Sequence, residues 1–159
     1  MNSVLITGYS GFVGSLLCKD LKTIYKLRLL GRKDSDSGVV FKSNIDASSN
    51  FSEALNGVKC VIHSAARVHV MNDTSNNPLI EFKTVNTFGT IHLARQAAQA
   101  GVKRFIFVSS IKVNGETTTG KQSFTSKDER MPKDPYGISK SDAEAVSYTH
   151  LTLPTNREV

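Results

Sequence analysis

A short apolar run, Val4-Leu5-Ile6, leads directly into Thr7-Gly8-Tyr9-Ser10-Gly11-Phe12-Val13-Gly14. Beyond it, apolar residues recur at helical spacing at Val13, Leu16, Leu17, Leu21 and Ile24. This order dictates a buried strand, a glycine turn and a helix that packs back on the strand. Gly8 lets the chain turn sharply, Gly11 lets a bound group approach the backbone, and Gly14 lets the helix sit close to the strand. The first turn of such a helix presents N–H groups without intrahelical partners and a partial positive charge. The segment therefore reads as a seat for the pyrophosphate of a dinucleotide, formed by Gly8, Tyr9, Ser10, Gly11, Phe12, Val13 and Gly14. A glycine triplet alone would mark only a turn; the strand before it and the helix after it supply the specificity.

The same punctuation continues downstream. Leu27 to Leu30 reads as a second strand stopped by Gly31, Val39-Val40-Phe41 as a weaker third, and Val58 to His63 as a fourth. A helix from about Phe51 to Asn56 ends at Gly57, a natural C-terminal glycine. Met71 to Pro78 is an Asn-rich polar loop, and Pro78 opens a long helix with Phe82, Val85, Gly89, Leu93 and Ala97 on one face, ended by Gly101. Val102 to Val108 is a fifth strand, Ile111 to Pro135 a long loop, and a last helix starts near Tyr136. Near-continuous apolar strands alternating mostly with helices make a parallel sheet covered on both faces. Right-handed crossovers then give an α/β fold, a doubly wound, Rossmann-type sheet with strand order 3-2-1-4-5.

Composition narrows the class further. A chain of 159 residues, 39% hydrophobic and 21% charged, holds one globular domain with a real core. Cys18 and Cys60 both sit in apolar runs and read as small buried side chains in a reducing compartment. No apolar run reaches membrane-spanning length and no secretion signal opens the chain, so the expected location is the cytoplasm, with no membrane partner. The net charge of +6 comes from scattered basic residues without aromatic interleaving. It fits an anionic small ligand or a plain solvated surface, and no nucleic acid partner is expected.

After Val146 the helical stripe lapses into a β-branched, proline-broken stretch. Residues 1–146 are read as an incomplete dinucleotide-binding domain, and 147–159 as a non-native tail that resembles a translated sequencing adapter. A genuine terminal strand or loop is the competing reading. On the tail reading the chain is an N-terminal portion, truncated after the last helix, and strand 5 is a bare hydrophobic edge.

Several residues carry possible chemistry. The second strand ends Leu30-Gly31-Arg32-Lys33, with no carboxylate to hold an adenosine ribose. Arg32 suits a 2′-phosphate instead, which leans the choice between NAD and NADP toward NADP. The alternative is that Arg32 and Lys33 are solvated and Asp34 or Asp36 reaches back. Asp46 either accepts from an adenine amino group or caps the following helix. Tyr136-Gly137-Ile138-Ser139-Lys140 places a phenol and an ammonium on one helix face, where the cation lowers the phenol pKa. Ser109-Ser110, at the carboxyl end of strand 5, offers a hydroxyl for a substrate oxygen or merely caps the strand. Arg67 and His69 are either substrate-facing or solvated loop residues, and His92 reads as a helix-surface residue. No His/Cys/acid cluster has metal spacing.

Taken together, the glycine turn, His63-Ser64-Ala65-Ala66, Asn86 with Gly89-Thr90, Val108-Ser109-Ser110-Ile111-Lys112-Val113-Asn114-Gly115 and Asp134-Pro135-Tyr136-Gly137-Ile138-Ser139-Lys140 resemble the extended short-chain dehydrogenase/reductase family. The resemblance is to its NAD-dependent epimerase/dehydratase branch, near UDP-glucose 4-epimerase-like proteins and UDP-N-acetylhexosamine 4-ketoreductases. It implies a catalytic set of Ser110, Tyr136 and Lys140, with Tyr136 and Lys140 also touching cofactor, Ala65 and Ala66 lining it, and Asn86 bracing the site from inside the long helix. It also implies a UDP-sugar substrate, hydride transfer at the sugar C4 and a homodimeric full-length parent, the present chain alone being inactive. Members that dehydrate carry Asp-Glu after the catalytic hydroxyl residue; Ile111-Lys112 stands there, which disfavours elimination. Asn114 stands where tyrosine is usual, which leaves the sugar open. A non-catalytic dinucleotide-binding module on the same fold is the remaining alternative.

Overall fold

The computed structural model describes residues 1–68, 76–120, 122–125 and 127–150, the last four by their backbone. Five strands form one sheet: β1 (Ser3–Thr7), β2 (Lys26–Gly31), β3 (Val39–Lys42), β4 (Val58–His63) and β5 (Arg104–Phe107). Their order is β3-β2-β1-β4-β5 and every pairing is parallel, as expected from the sequence. β1 is central, with Ile6 between Leu29 and Ile62 and Leu5 between Arg28 and Val61.

Alternation along β1 separates two cores. Leu5, Leu30 and Val61 face Phe51, Leu55, Leu93 and Ala97, while Val4, Ile6, Leu27 and Leu29 pack with Tyr9 and Cys18. Burial on both faces explains why the strands read as continuous apolar runs. Cys18 is buried, as expected, and Cys60 is half-buried.

The helices are α1 (Phe12–Leu21), α2 (Ser52–Leu55), α3 (Pro78–Lys83), α4 (Thr90–Gln99) and α5 (Pro135–His150). In α1 the inward line is Gly14 and Cys18, flanked by Leu17 and Leu21. Val13 and Leu16, expected on the buried stripe, are about half exposed (46% and 50%). The reason is steric: α1 meets the sheet through its smallest side chain, and a Cβ at Gly14 would lie 2.1 Å from the Gly8 carbonyl oxygen. That contact rotates the larger residues onto the flank. α2 is a single turn held by Arg28 of β2, which donates to the Ala54 and Glu53 carbonyls.

The long helix expected after Pro78 forms, with Asn77 capping it through the Ile80 N–H. Its middle, Thr84–Gly89, is π-helical. The wider turn shifts the inward register, so Asn86, Thr87 and Thr90 are buried alongside Leu93, Ala94 and Ala97. A regular 3.6-residue period has no place for such an insertion.

β5 pairs with β4 only, so it is an edge strand among the described residues. The α5 backbone continues four residues beyond Val146, where the sequence pattern lapses. Once a helix is nucleated by a cap and a packed first half, each added residue costs little, even with weak formers. The remainder of the suspected tail, 151–159, lies outside the described residues. Among the described residues no helix is long and apolar enough to cross a membrane.

The contact between Gly14 and Gly8 generates a test. Gly14→Ala forces α1 away from β1 and should lower unfolding stability by about 3 kcal/mol or leave the chain insoluble. Urea denaturation against Ser15→Ala, which alters an exposed neighbour, measures it.

Candidate active site

A cavity of about 860 Å³ opens above the carboxyl ends of β1, β2, β4 and β5. Its floor is the glycine turn. Gly8 has φ +69°, and a Cβ there would lie 2.6 Å from the Ala65 nitrogen, so only glycine lets the β1 turn and the β4 loop come this close. The Gly11 N–H donates to the Gly8 carbonyl at 2.9 Å, and Gly11 caps α1 without any side chain. The amides opening α1 are left for a ligand, the arrangement that suits a pyrophosphate. All seven residues from Gly8 to Gly14 line the cavity.

Tyr9 lines it from beneath. Its ring is buried against Gly31 and its hydroxyl donates to the Lys33 carbonyl. Burial pushes the Tyr9 phenol up, so it remains a donor. A Cβ at Gly31 would lie 2.9 Å from the Tyr9 ring, which is why no side chain, acidic or otherwise, is accommodated there. Arg32, the next residue, lines the cavity together with Ser43, Asn44 and Asp46. Asp34 does not reach back: its carboxylate pairs with Lys42 at 2.8 Å. Asp46 accepts from the Ser48 and Ser49 amides and hydroxyls through Oδ1, bonds that hold its carboxyl below the usual range. It therefore closes a turn ahead of α2 rather than capping α2, whose N-cap is Phe51.

The opposite wall is Ala65, Ala66 and Arg67 after β4. Ala65 N–H donates to Thr7 Oγ1 at 3.1 Å, and Ser64 Oγ donates to the Thr7 carbonyl at 2.7 Å. Asn86 pins the loop at both atoms of Arg67, accepting from its N–H at 2.8 Å and donating to its carbonyl at 3.1 Å. Asn86 also donates to Ser139 Oγ at 2.9 Å. It is 1% exposed and does not line the cavity. Asn86, expected among the cofactor-binding residues as well as bracing the site, is turned toward the Arg67 loop and Ser139.

Beneath this wall lies a polar chain that sequence reasoning missed. His63 is fully buried, with Nδ1 2.6 Å from Thr7 Oγ1 and Nε2 2.8 Å from Thr90 Oγ1. Thr90 spends its single proton on the Asn86 carbonyl at 2.7 Å, so it must accept from His63 Nε2–H. Thr7 then donates to Nδ1. The imidazole is thereby neutral, and burial pushes its pKa down to about 3, with nearby Lys140 acting in the same direction.

α5 brings the catalytic candidates. Asp134 caps it, Oδ1 accepting the Gly137 N–H at 2.5 Å, with Pro135 at the first helical position. Ser139 Oγ donates to the Tyr136 carbonyl at 2.7 Å, and Thr87 donates to the Ser139 carbonyl at 2.8 Å. Tyr136 stands edge-on to Phe82, with centroids 6.3 Å apart. Tyr136 and Lys140 both line the cavity. Lys140 is 1% exposed, donates to the Val108 carbonyl at 2.7 Å, and is pushed down to about 8 by burial, with Glu144 opposing.

Ser110 is not brought into the cavity wall. It caps the short turn Ile111–Val113, its Oγ accepting the Lys112 N–H at 3.3 Å, and Ser109 is the serine that lines the cavity. Arg67 reaches the cavity with its guanidinium 5.6 Å from the Phe82 ring, rather than being a solvated loop residue. His92 is not a free surface residue either: Nε2 meets the Ser49 carbonyl at 2.9 Å. His69 lies outside the described residues. Among the described residues no cluster could hold a metal ion. A hint of His63 was available in a histidine ending an apolar strand; nothing local marked Thr7, Thr90 or Ser139.

The fold and the site define a doubly wound parallel α/β domain with a Tyr–Lys pair at the cavity over its glycine turn. The sequence profile of the NAD dependent epimerase/dehydratase family matches residues 4–150, and the chain belongs to that family. It is 47% identical over 147 residues to a UDP-glucose 4-epimerase of Vibrio cholerae, covering 89% of this chain and 45% of the relative. It is 31% identical over 159 residues to a mouse dTDP-D-glucose 4,6-dehydratase, covering 89% of this chain and 44% of the relative. Among solved structures it is similar to MoeE5 in complex with UDP-glucose and NAD (TM-score 0.76, 28% identity, 92% of this chain and 48% of that one). It is also similar to an Agrobacterium tumefaciens short-chain dehydrogenase/reductase superfamily protein with bound NAD (TM-score 0.80, 26% identity, 96% and 47%). The chain spans about half the length of the relatives it matches.

His63 makes stability depend on pH. Its pKa falls from 6.5 unfolded to about 3 folded, so over that window the unfolded state binds the extra proton. Stability from this group is complete above 6.5 and drains as pH falls toward 3, by on the order of 5 kcal/mol. Unfolding free energies of the unmodified chain and His63→Gln, measured across that range, should converge as pH falls; parallel profiles would contradict the neutral assignment.

Proposed function

We propose that the full protein is an NAD(P)-dependent nucleotide-sugar epimerase of the UDP-glucose 4-epimerase type, and that this chain carries its cofactor half. The observation that carries the reading is that Tyr136 and Lys140 share one cavity with the glycine turn. The cradle suits a dinucleotide: Gly8 has no room for a Cβ, and the opening of α1 carries no side-chain cap. A bound nicotinamide would supply hydride acceptance and return at the sugar C4.

The chain's own part is positioning and proton handling. The α1 amides and Gly8 to Gly14 hold the pyrophosphate, and Ala65 and Ala66 bound the cofactor on the β4 side. Lys140 grips a ribose hydroxyl and places its ammonium one helical turn from Tyr136. Tyr136 takes the proton from the sugar C4 hydroxyl as hydride leaves and returns it at the end of the cycle. Ser110 is given the same oxygen by the family resemblance alone, since Ser109 is the serine at the cavity wall; Ser110 Oγ accepts from the Lys112 N–H, so its own proton is available to give. Running the second half alone, from a ketone, would be the 4-ketoreductase reaction with the same residues. Both avoid elimination, consistent with Lys112 being tied to Asp134 and Glu116.

For the cofactor, Arg32 beside a Gly31 that cannot carry a carboxylate favours a 2′-phosphate, hence NADP. The substrate is a UDP-sugar, the location cytoplasmic and the full-length assembly a homodimer. The chain by itself binds cofactor without turnover.

Two measurements test the reading. Arg32→Glu in this chain should weaken NADPH about tenfold or more while leaving NADH nearly unchanged in fluorescence titrations; equal losses for both would remove the NADP assignment. In the full-length enzyme Tyr136→Phe should lower kcat with UDP-glucose about 100-fold or more. Turnover within a few-fold of the unmodified enzyme would refute the catalytic role, and cofactor binding without product from any UDP-sugar would favour the non-catalytic module.

A further inference from the structure

We infer that Phe107 is a positioning residue for Lys140: its ring face holds the buried ammonium at the cavity wall, and the neutral imidazole of His63 stacks on the same ring. The functional meaning rests on the Tyr136–Lys140 reading above; the geometry does not. Lys140 Nζ lies 3.9 Å from the Phe107 ring centroid and donates to the Val108 carbonyl at 2.7 Å. An ammonium has three N–H groups. The carbonyl takes one and the negative ring face a second, leaving the third for the cavity that Lys140 lines.

The ring has its own backing. His63 stacks on Phe107 with centroids 5.8 Å apart and planes 25° from parallel, and Phe105 packs against His63 at 6.0 Å. Such an arrangement tolerates a neutral imidazole but not an imidazolium, which would repel the nearby ammonium. The chain from Thr7 through His63 to Thr90 keeps the imidazole neutral. The other titratable groups facing Lys140 lie on its own helix: Tyr136 one turn earlier, and Glu144 one turn later, which is itself paired with Arg130 at 3.8 Å. No carboxylate forms a salt bridge with Lys140 among the described residues, so the ring and the carbonyl are the groups in direct contact with the charge, with Glu144 favouring it from a turn away.

The test reads Lys140 directly in the 159-residue chain, by NMR of isotope-labelled lysine, with Lys140→Arg identifying the signal. The Lys140 ε-methylene protons should lie upfield of the other lysines, as expected above a ring face. Phe107→Leu should abolish that displacement and lower the titration midpoint by about one pH unit, whereas Phe107→Tyr should keep both. An unmoved midpoint in Phe107→Leu with the amide spectrum preserved would overturn the inference. Should that variant fail to fold, a ring-fluorinated phenylalanine at 107 keeps the shape and weakens the negative face. It must lower the midpoint, and no change would be equally fatal, as would ordinary ε-methylene shifts in the unmodified chain. NADH titration of the same samples separates the two readings. Loss of cofactor binding with the lysine shifts intact refutes the cofactor assignment and leaves the ring–ammonium contact standing.

Discussion

The cavity walls hang on one buried line of hydrogen bonds: Ala65 N–H to Thr7 Oγ1, Thr7 to His63, His63 to Thr90, and Thr90 to the Asn86 carbonyl. Every donor in it has an acceptor, so the line has one direction and the imidazole one tautomer. It joins the end of β1, the end of β4 and the π-helical segment. Asn86 extends it through side-chain bonds to the Arg67 backbone and to Ser139 on α5. Breaking one link strands a buried polar atom, which costs more than the link itself contributes. Elements far apart in sequence are thereby held in one register around a space that would otherwise have soft walls.

This line also explains what was legible in the sequence. The strand–turn–helix at Val4 to Gly14 is read locally, because a glycine signature and an apolar period are properties of neighbouring residues. The strand order follows from apolar runs and connection lengths, and it agrees with the sheet found. Tyr136 and Lys140 lie four residues apart on one helix, so their shared face could be anticipated. The π-helical insertion at Thr84–Gly89 could not be, because its inward polar residues are satisfied by partners 19 to 53 positions away. The same holds for α1, whose tilt is set by the Gly14 contact with Gly8 rather than by its own stripe. Ser109 and Ser110 differ only in which way an extended chain turns them, and no composition reveals that.

The β2 end of the cavity shows how one packing contact propagates. Tyr9 fills the space beside Gly31, and its hydroxyl holds the Lys33 carbonyl. The last residue of β2 is therefore bare backbone, and the first side chain to reach the cavity beyond it is cationic Arg32. Asp34, the acidic alternative, is drawn away to Lys42 on the neighbouring strand. Packing under the turn thus decides which charge the ligand meets.

At the other end, Lys112 joins the Ser110 turn to the Tyr136 helix in three ways. Its N–H donates to Ser110 Oγ, its ammonium pairs with Asp134 and Glu116, and its carbonyl lies where a Cβ on Gly137 would come within 2.8 Å. Asp134 is in turn the cap of α5, accepting the Gly137 N–H. The Ser110 turn is therefore tied to the start of the Tyr136 helix by a single basic residue meeting the helix cap. A carboxylate at 112 would stand against two others, loosening the cap and the turn together. The packing that fixes this helix start is thus built on a cation at 112, and an acid there would need a different helix cap.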